Sequence, residues 1–324
     1  MRRVDPSFPD LLPLEYRLGA VGPPAQGVGL DPVSMRLVWP GGHDASVRVD
    51  PGPVRRPARL LVHAGVLAGQ PEVIVPLLEA GWGVLVVLDA PLEAAALPAP
   101  GMAGQVTVLA PWLPALWGGR ALPELQPWEA RGVAAGVLLG LVPVLDATGE
   151  VERGVAAARQ AGASFVLAVP VCVPPLDRRR LLNECFGEEG NEAIEDLFFH
   201  TDLASLTLEM ERAASRCAHQ EGLGERLPGP ATARLGRETF AAATSLLLWA
   251  RRLDLLDGVG SVGWQLRRAA QALMASAKDV RALLEEDNLR IIPGFDPWVE
   301  AFARAVWADQ GAPFEEIRSR WLWS

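Results

Sequence analysis

The sequence predicts an α/β protein, in which a parallel βα barrel or half-barrel is followed by an all-helical C-terminal segment. Three observations support this. From residue 58 onward, short apolar runs alternate with helical stretches, which is typical of parallel strands buried on both faces. After Pro174 and Pro175 the strand patterns stop and only helical patterns follow. A joint rich in Pro and Gly at 222–230 then precedes a last block of helices.

The predicted elements follow the chain in order. Residues 1–34 carry many Pro and Gly and form an irregular arm. Alternating residues at 35–50 predict a β-hairpin that turns at 40–45. The predicted strands are 59–63, 83–88, 105–109, 137–145 and 164–173, and the predicted helices include 71–80, 150–161, 177–186, 188–199 and 203–220. We therefore expect an arm with a hairpin over 1–57, a βα domain over 58–230 and a helical domain over 231–324.

Composition and charge argue against three classes of protein: those that coat nucleic acid, those that span a membrane and those that are secreted. The net charge of −9 argues against a surface that coats nucleic acid, because phosphate binding needs clustered Lys and Arg. The net charge does not exclude a local nucleic-acid site. No apolar run reaches the roughly 18 residues that span a bilayer, and two N-terminal arginines precede Pro and acids instead of an apolar signal segment. We expect a cytoplasmic protein with no membrane contact.

The three cysteines, Cys172, Cys185 and Cys217, are widely spaced along the chain. An odd number without short spacing favours reduced thiols over a disulfide framework. We expect them to be small buried apolar side chains. No His or basic residue lies next to Cys172 in the sequence, so we expect nothing that would lower the pKa of its thiol.

Candidate catalytic residues lie at the predicted carboxyl ends of the strands, where βα proteins place their working residues. His63, Asp89 and Asp146 are the candidates, because one imidazole and two carboxylates suit a divalent cation or acid–base catalysis. The alternative is structural: strand-end Asp residues commonly cap the next helix, and a lone His is more often packed than catalytic. The structural interpretation is the stronger of the two.

One family resemblance lies in residues 77–175. The segment 77–84, LLEAGWGV, is like a helix-to-strand step, and 137–146 followed by 154–165 is like a later strand, helix and strand. In these segments the chain resembles the barrel of radical S-adenosylmethionine enzymes, most closely the spore photoproduct lyase-like branch. Those enzymes hold a [4Fe–4S] cluster through a CxxxCxxC loop near the start of the barrel, whereas no cysteine precedes Cys172 here. The resemblance therefore implies a partial barrel without the cluster, and we expect no cofactor.

A second resemblance lies in the C-terminal helices. The segment 264–270, WQLRRAA, is followed by 279–286, DVRALLEE, and by 289–295, LRIIPGF. In this spacing, residues 246–321 resemble the N-terminal helix-hairpin-helix domain of family X DNA polymerases. The resemblance implies that Gly294, Phe295 and Asp296 lie in a hairpin whose backbone N–H groups bind a DNA phosphate.

Two departures from that pattern predict weak DNA binding. Asp296 replaces the second glycine of the hairpin, which places a negative charge where a phosphate would lie. Pro297 follows and removes one N–H donor. Some family X members use a lysine of this domain as a lyase nucleophile, but Lys278, the only lysine of the chain, is expected to be a solvated side chain.

The end of the chain holds candidate residues for a partner contact. Trp321 and Trp323 close a chain that contains 11 tryptophans, and Trp is enriched at the energetic centres of interfaces. We expect them to bind a protein partner or, as the alternative, to pack on the chain's own helices.

The leading hypothesis is a non-catalytic accessory or scaffold protein in DNA repair or processing. It would combine a cofactor-free barrel with a helix-hairpin-helix relative. The alternative is a cluster-free enzyme that acts on a small polar substrate at the barrel mouth through His63, Asp89 and Asp146. Convergence of these three side chains favours the enzyme, and a filled barrel mouth favours the scaffold.

Overall fold

The computed structural model describes residues 12, 14–18, 28–32, 35–39, 59–97, 100–114, 121–142, 147–171, 173, 175–181, 183, 203–229, 236–257, 260–276 and 278–308. Within these ranges the chain is α/β, with a parallel sheet and many helices, as the sequence predicts. No helix in this part of the chain is long and apolar enough to cross a membrane.

The elements are as follows. The strands are β1 (Leu14–Leu18), β2 (Gly29–Leu30), β3 (Leu37–Val38), β4 (Arg59–His63), β5 (Gly83–Val87), β6 (Val106–Trp112), β7 (Ala134–Leu141) and β8 (Phe165–Pro170). The α-helices are α1 (Ala64–Gly69), α2 (Ile74–Glu79), α3 (Gln126–Glu129), α4 (Ala147–Gln160), α5 (Pro175–Leu181), α6 (Leu203–Gln220), α7 (Arg237–Asp257), α8 (Ser261–Ala275), α9 (Val280–Glu285) and α10 (Pro297–Ala308). Short 3₁₀ turns occur at Pro71–Val73, Ala94–Ala96, Pro100–Gln105 and Leu289–Ile291.

The main sheet has six parallel strands in the order β1-β4-β5-β6-β7-β8. The strand order therefore follows the chain order, with β2 and β3 set apart as an antiparallel pair. Because crossovers between parallel strands are right-handed, this order places the connecting helices on one face of the sheet. The opposite face must be covered by other parts of the chain.

Helices cover the first face. Alternate strand residues such as Val86, Val137 and Leu139 share a core with apolar side chains of α2, α4 and α6. A close approach of α4 to β7 depends on Gly154, because a Cβ at this position would lie 2.6 Å from a methyl group of Leu139. Burial of these apolar faces is the main free energy that holds the layers together.

The second face, which we call the inner face, is covered by the β2–β3 hairpin. Strand residues such as Leu85 and Leu138 share a core there with Leu30, Met35 and Trp39. Met35 is fully buried and has a φ of 52°, in the left-handed region that non-glycine residues rarely adopt. The burial of its side chain therefore offsets a local backbone strain of about 1 kcal/mol.

The C-terminal helices form their own core and also contact the sheet. Trp249 and Phe302 meet edge to face at 5.7 Å between ring centroids in this core. On the sheet side, Leu248 of α7 joins the inner-face core, and the guanidinium of Arg59 lies 4.7 Å from the centroid of Phe240. Helix α7 thus belongs to both cores.

Residues of the joint before α7 form hydrogen bonds with β8 on one side and with α7 on the other. The backbone N–H of Val166 donates to the carbonyl of Gly224 at 2.8 Å, and Gly224 bridges Phe165. The Arg226 guanidinium donates to the carbonyl of Ala241 at 2.9 Å and to the hydroxyl of Ser245. Burial lowers the pKa of Arg226. Gly224 and Arg226, which the sequence assigns to a linker, therefore form hydrogen bonds with β8 and α7.

One expectation for the N-terminal part is corrected. Residues 14–18, assigned to the irregular arm, form β1 beside β4. The flanking Pro13 and Gly19 make the surrounding segment resemble a loop and so hide this five-residue strand. Leu37–Val38 also pairs with Gly29–Leu30, a contact that the sequence did not predict. The predicted partner of this strand, residues 46–50, lies outside the described residues, so the hairpin over 35–50 stays a prediction.

Candidate functional site

His63 and Asp89 meet at the carboxyl edge of the sheet. His63 is the last residue of β4 and lies opposite Val87, the last residue of β5. Asp89 follows two residues later, so the neighbouring strands bring the two side chains together. His63 Nδ1 lies 2.7 Å from Asp89 Oδ2, and the side chains are 1% and 12% exposed.

This contact defines what the pair can do chemically. A carboxylate at hydrogen-bond distance favours the imidazole tautomer that carries its proton on Nδ1, and in that tautomer Nε2 is the acceptor nitrogen. Such a pair suits a general base or a single metal ligand. The pair also suits a purely structural role, because its buried hydrogen bond stabilises the contact between the end of β4 and the residues that follow β5.

The third candidate residue, Asp146, lies outside the described residues, as does Cys172. No group of three or more His, Cys, Asp or Glu side chains that could hold a metal ion occurs in the described part of the chain. Asp89 Oδ1 is buried and has no hydrogen-bond partner there. The carboxylate is therefore only half satisfied by His63.

Apolar side chains fill the inner face next to this pair. Met35 and Leu113 are fully buried, and Trp39 is 7% exposed. They pack against strand residues such as Val87, the neighbour of His63 in register. The described part of the inner face is therefore a packed core.

The hairpin of the C-terminal helices joins Leu289–Ile291 to α10 through Gly294. Gly294 has a φ of +95°, and a Cβ there would lie 3.1 Å from the backbone nitrogen of Ala269 in α8. Only glycine allows this turn to pack so closely on α8. Phe295 is 4% exposed and lies 6.2 Å from Trp307 between ring centroids, so its side chain belongs to the helical core.

Asp296 caps α10. Its Oδ1 accepts a hydrogen bond of 2.8 Å from the backbone N–H of Val299, and Pro297 occupies the first helical position. This is the common arrangement of an acidic N-cap followed by Pro. The Asp296 carboxylate thus accepts a hydrogen bond from a backbone N–H group at the N-terminus of α10, a position where a phosphate would otherwise be attracted.

The remaining residues considered from the sequence are in ordinary environments. The Cys217 thiol is buried, and burial raises its pKa, with Glu152 raising it further. Lys278 is exposed, and its backbone N–H donates to the hydroxyl of Ser276 at 3.1 Å. Trp321, Trp323 and Cys185 lie outside the described residues.

Sequence reasoning missed a buried charge cluster between α6, α7 and the joint. Arg251 donates to Glu211 at 2.7 Å, with both side chains 6% exposed. The neighbouring Arg252 contacts Glu225 at 2.6 Å. Glu211 and Arg251 are 40 residues apart in the sequence, so no local pattern indicates the pair.

A second feature missed from the sequence is a group of arginines at the end of α5. Arg178, Arg179 and Arg180 are consecutive in its last turn, and the Arg180 guanidinium lies 4.4 Å from the ring centroid of Trp39. The run of three arginines is a visible signal, but its contact with Trp39 depends on the fold.

Comparison of the chain with known protein families, with curated proteins and with solved structures finds no match.

Proposed function

We propose that the protein is a non-catalytic accessory or scaffold protein in DNA repair or processing. The observation that carries this proposal is the packed inner face, where Met35, Trp39 and Leu113 are buried. In an enzyme of βα architecture the substrate would approach the carboxyl edge of this sheet. Packed apolar side chains favour a structural use of the fold.

We also propose that the sheet is a partial barrel of the radical S-adenosylmethionine type that lacks the cluster. The sequential order of six parallel strands supports this, because barrels have that order. The C-terminal helices would be a relative of the family X helix-hairpin-helix domain. The close turn at Gly294 between α9 and α10 supports the second part.

DNA binding by that hairpin is proposed to be weak. An acid about 4 Å from a phosphate costs on the order of 1–4 kcal/mol at effective dielectric constants of 80 to 20. Non-specific affinities of competent domains are only about 10⁻⁴ to 10⁻⁶ M at physiological salt. The capping carboxylate of Asp296 would therefore weaken non-specific DNA binding by about 5- to 1000-fold, to dissociation constants between about 10⁻⁵ and 10⁻¹ M. A protein partner would then recruit the chain in the cytoplasm, with Trp321 and Trp323 as the proposed contact.

The test compares three chromosomal changes in the source cells by survival after DNA damage. One strain lacks the gene, one carries Asp89→Asn, and one ends the chain after Ala308 and so lacks both tail tryptophans. The proposal expects the first and third strains to be sensitive and the second to survive like wild type, because asparagine keeps a hydrogen-bonding group beside His63. Immunoblots check that the protein levels are equal.

Two outcomes would contradict the proposal. Wild-type survival of the deletion strain would remove the assignment to DNA repair. Sensitivity of the Asp89→Asn strain at an equal protein level would favour the alternative function.

The alternative is a cluster-free enzyme that uses His63, Asp89 and Asp146 on a small polar substrate. The 2.7 Å contact between His63 and Asp89 favours it, as does Oδ1 of Asp89, which has no hydrogen-bond partner among the residues that the structure describes. A thermal-shift screen of small carboxylates, amines and divalent cations would test it. An enzyme site would give a stabilising ligand for the wild type whose effect is lost in Asp89→Asn.

A further inference from the structure

Exposed apolar side chains lie around the Gly294 hairpin. Among the residues that the structure describes, three large apolar side chains are exposed: Trp264 by 67%, Ile291 by 43% and Trp298 by 37%. Trp264 belongs to α8, whereas Ile291 and Trp298 lie on either side of Gly294 in the chain. We call these three residues the apolar patch. Single exposed apolar residues are ordinary, but several around one turn indicate an interaction site.

The hairpin packs directly on α8, which brings the two segments together. A Cβ at Gly294 would lie 3.4 Å from the backbone carbonyl carbon of Arg268. Trp264 is one helical turn before Arg268, about 6 Å along the helix axis. Ile291 and Trp298 are three and four residues from Gly294, which limits their Cα atoms to within roughly 14 Å of it. The backbone of each patch residue therefore lies within about 15 Å of one contact.

The ring of Trp298 is held in place by the helical core. It stacks on Phe302 with 5.2 Å between ring centroids and an angle of 14° between the planes. Phe302 in turn meets Trp249 edge to face. A side chain that is already fixed loses little conformational entropy on binding, and Trp is among the residues that contribute most to interfaces. This part of the patch is therefore preformed for contact.

The charged side chains of the two segments are balanced. Residues 261–275 and 289–300 contain five of them. Three of the five form ion pairs, which are those of Arg267 with Asp254 at 2.7 Å and of Arg290 with Glu300 at 2.6 Å. The other two, Arg268 and Asp296, are exposed and form no ion pair with each other or with any other residue that the structure describes. One cation and one acid are therefore left beside the patch.

This pair of opposite charges makes the surface complementary to itself. The Arg268 guanidinium has several N–H donors, and Asp296 uses Oδ1 to cap α10, so its Oδ2 can accept from a further donor. Two copies related by a twofold axis would pair Arg268 of each copy with Asp296 of the other. A nucleic acid fits this surface less well because it needs clustered cations, whereas Glu285 ends α9 and Glu286 follows it.

We propose that the apolar patch, with Arg268 and Asp296 beside it, is the contact surface of a homodimer of this chain. Twofold dimers are the commonest assemblies of soluble proteins, and their interfaces are reciprocal. Stable interfaces bury about 800 Å² per partner, which is more than three side chains supply. We therefore expect a reversible dimer with a dissociation constant of about 1–100 µM. The inference goes beyond the proposed function, because it needs neither DNA nor a catalytic residue.

The experiment is sedimentation velocity on the full-length protein, at about 1–200 µM chain and about 0.15 M salt. The patch variants are Trp264→Ala, Arg268→Glu and Asp296→Arg. The matched controls are Arg159→Glu and Glu209→Arg, which reverse exposed charges on α4 and α6. The Tm of each variant is measured alongside.

The main sample is an equimolar mixture of Arg268→Glu with Asp296→Arg. Each variant alone places like charges opposite each other twice, so its dimer should weaken at least about tenfold. In the mixture, the two introduced charges face each other and so do the two native ones, so the dimer should return to within about threefold of wild type. Trp264→Ala should weaken the dimer about tenfold, and the controls should stay within about twofold, alone or mixed.

A further variant keeps the test independent of the cap of α10. Asp296→Arg removes that cap, whereas Asp296→Asn retains a capping side chain. Asp296→Asn should weaken the dimer several-fold at an unchanged Tm, because it removes the charge that faces Arg268. Recovery of the dimer in the mixture would also show that Asp296→Arg is folded.

Three results would overturn the proposal. The first is a wild type that stays monomeric at about 200 µM, which would leave the patch to a different protein. The second is a dimer that none of the patch variants weakens, which would place its interface on another surface. The third is a mixture of two folded variants that does not restore the dimer. All are measured on the purified chain without DNA, so they are distinct from a failure of the repair hypothesis.

Discussion

The buried pair of Glu211 and Arg251 gives a quantitative test of how the C-terminal helices are joined to the sheet. The perturbation is Glu211→Leu, which removes the carboxylate from α6 and leaves the guanidinium of Arg251 buried in α7. Both side chains are 6% exposed. Arg252 also loses a carboxylate 3.9 Å away, although it keeps Glu225 at 2.6 Å.

The expected cost follows from this burial. Removal of one partner of a buried ion pair leaves an uncompensated charge and typically costs about 3–5 kcal/mol, whereas replacement of both partners by apolar residues of similar volume is often neutral or stabilising. We therefore expect Glu211→Leu to lower the free energy of unfolding by about 3–5 kcal/mol. The double variant Glu211→Leu with Arg251→Met should recover most of that loss.

The assay is urea unfolding, monitored by tryptophan fluorescence and by circular dichroism. Coincident transitions would justify a two-state analysis. The control is Glu238→Leu, which breaks the exposed pair of Glu238 with Arg281, whose side chains are 56% and 64% exposed. Exposed pairs contribute about 0–1 kcal/mol. The reasoning fails if Glu211→Leu costs no more than Glu238→Leu, or if the double variant is as unstable as the single one.

Three further predictions concern other parts of the molecule. Gly294→Ala should lower stability by about 1–3 kcal/mol in thermal unfolding, because its φ of +95° and the 3.1 Å approach to Ala269 exclude a side chain; an unchanged Tm would contradict this. Hydrogen bonds from Arg304 hold the pKa of Glu300 below its usual value, despite an opposing effect of burial. Since a depressed carboxyl pKa stabilises the folded state above the unfolded pKa of about 4.3, the advantage of wild type over Glu300→Gln should be full at neutral pH. It should disappear as the pH falls through the lower folded pKa, and a pH-independent difference would refute the assignment. Anaerobically purified protein should contain no iron–sulfur cluster, and four iron atoms per chain in a metal assay would refute this.

The strands were largely predictable from the sequence because both faces of the sheet are buried. Continuous apolar runs then mark each strand, and Arg59–His63 agrees with its predicted bounds. The predicted ends at 145 and 173 lie beyond those of β7 and β8, because the apolar runs in the sequence continue past Leu141 and Pro170, whereas β6 extends three residues beyond its predicted end at 109. The short β1 was missed because its neighbours Pro13 and Gly19 are typical of turns.

The meeting of His63 and Asp89 was predictable from topology alone. The carboxyl ends of parallel neighbours lie at one edge, so residues at those ends come together whatever their separation in sequence. The capping role of Asp296 also has a sequence signal, an acid followed by Pro at a helix start. By contrast, contacts such as Glu211 with Arg251 and Trp39 with Arg180 depend on how whole elements pack, which no local pattern encodes.

The bridge between Gly224 and Phe165 has a consequence for solubility. In the described sheet, β8 is an edge strand, and an uncovered edge is a template for pairing with another chain. Gly224 occupies two backbone groups of this edge, through Val166 N–H and the Ser164 carbonyl. A side chain at this position would meet Phe165 Cβ at 3.3 Å. Substitutions that displace the joint should therefore promote self-association through β8 before the chain loses its helical content.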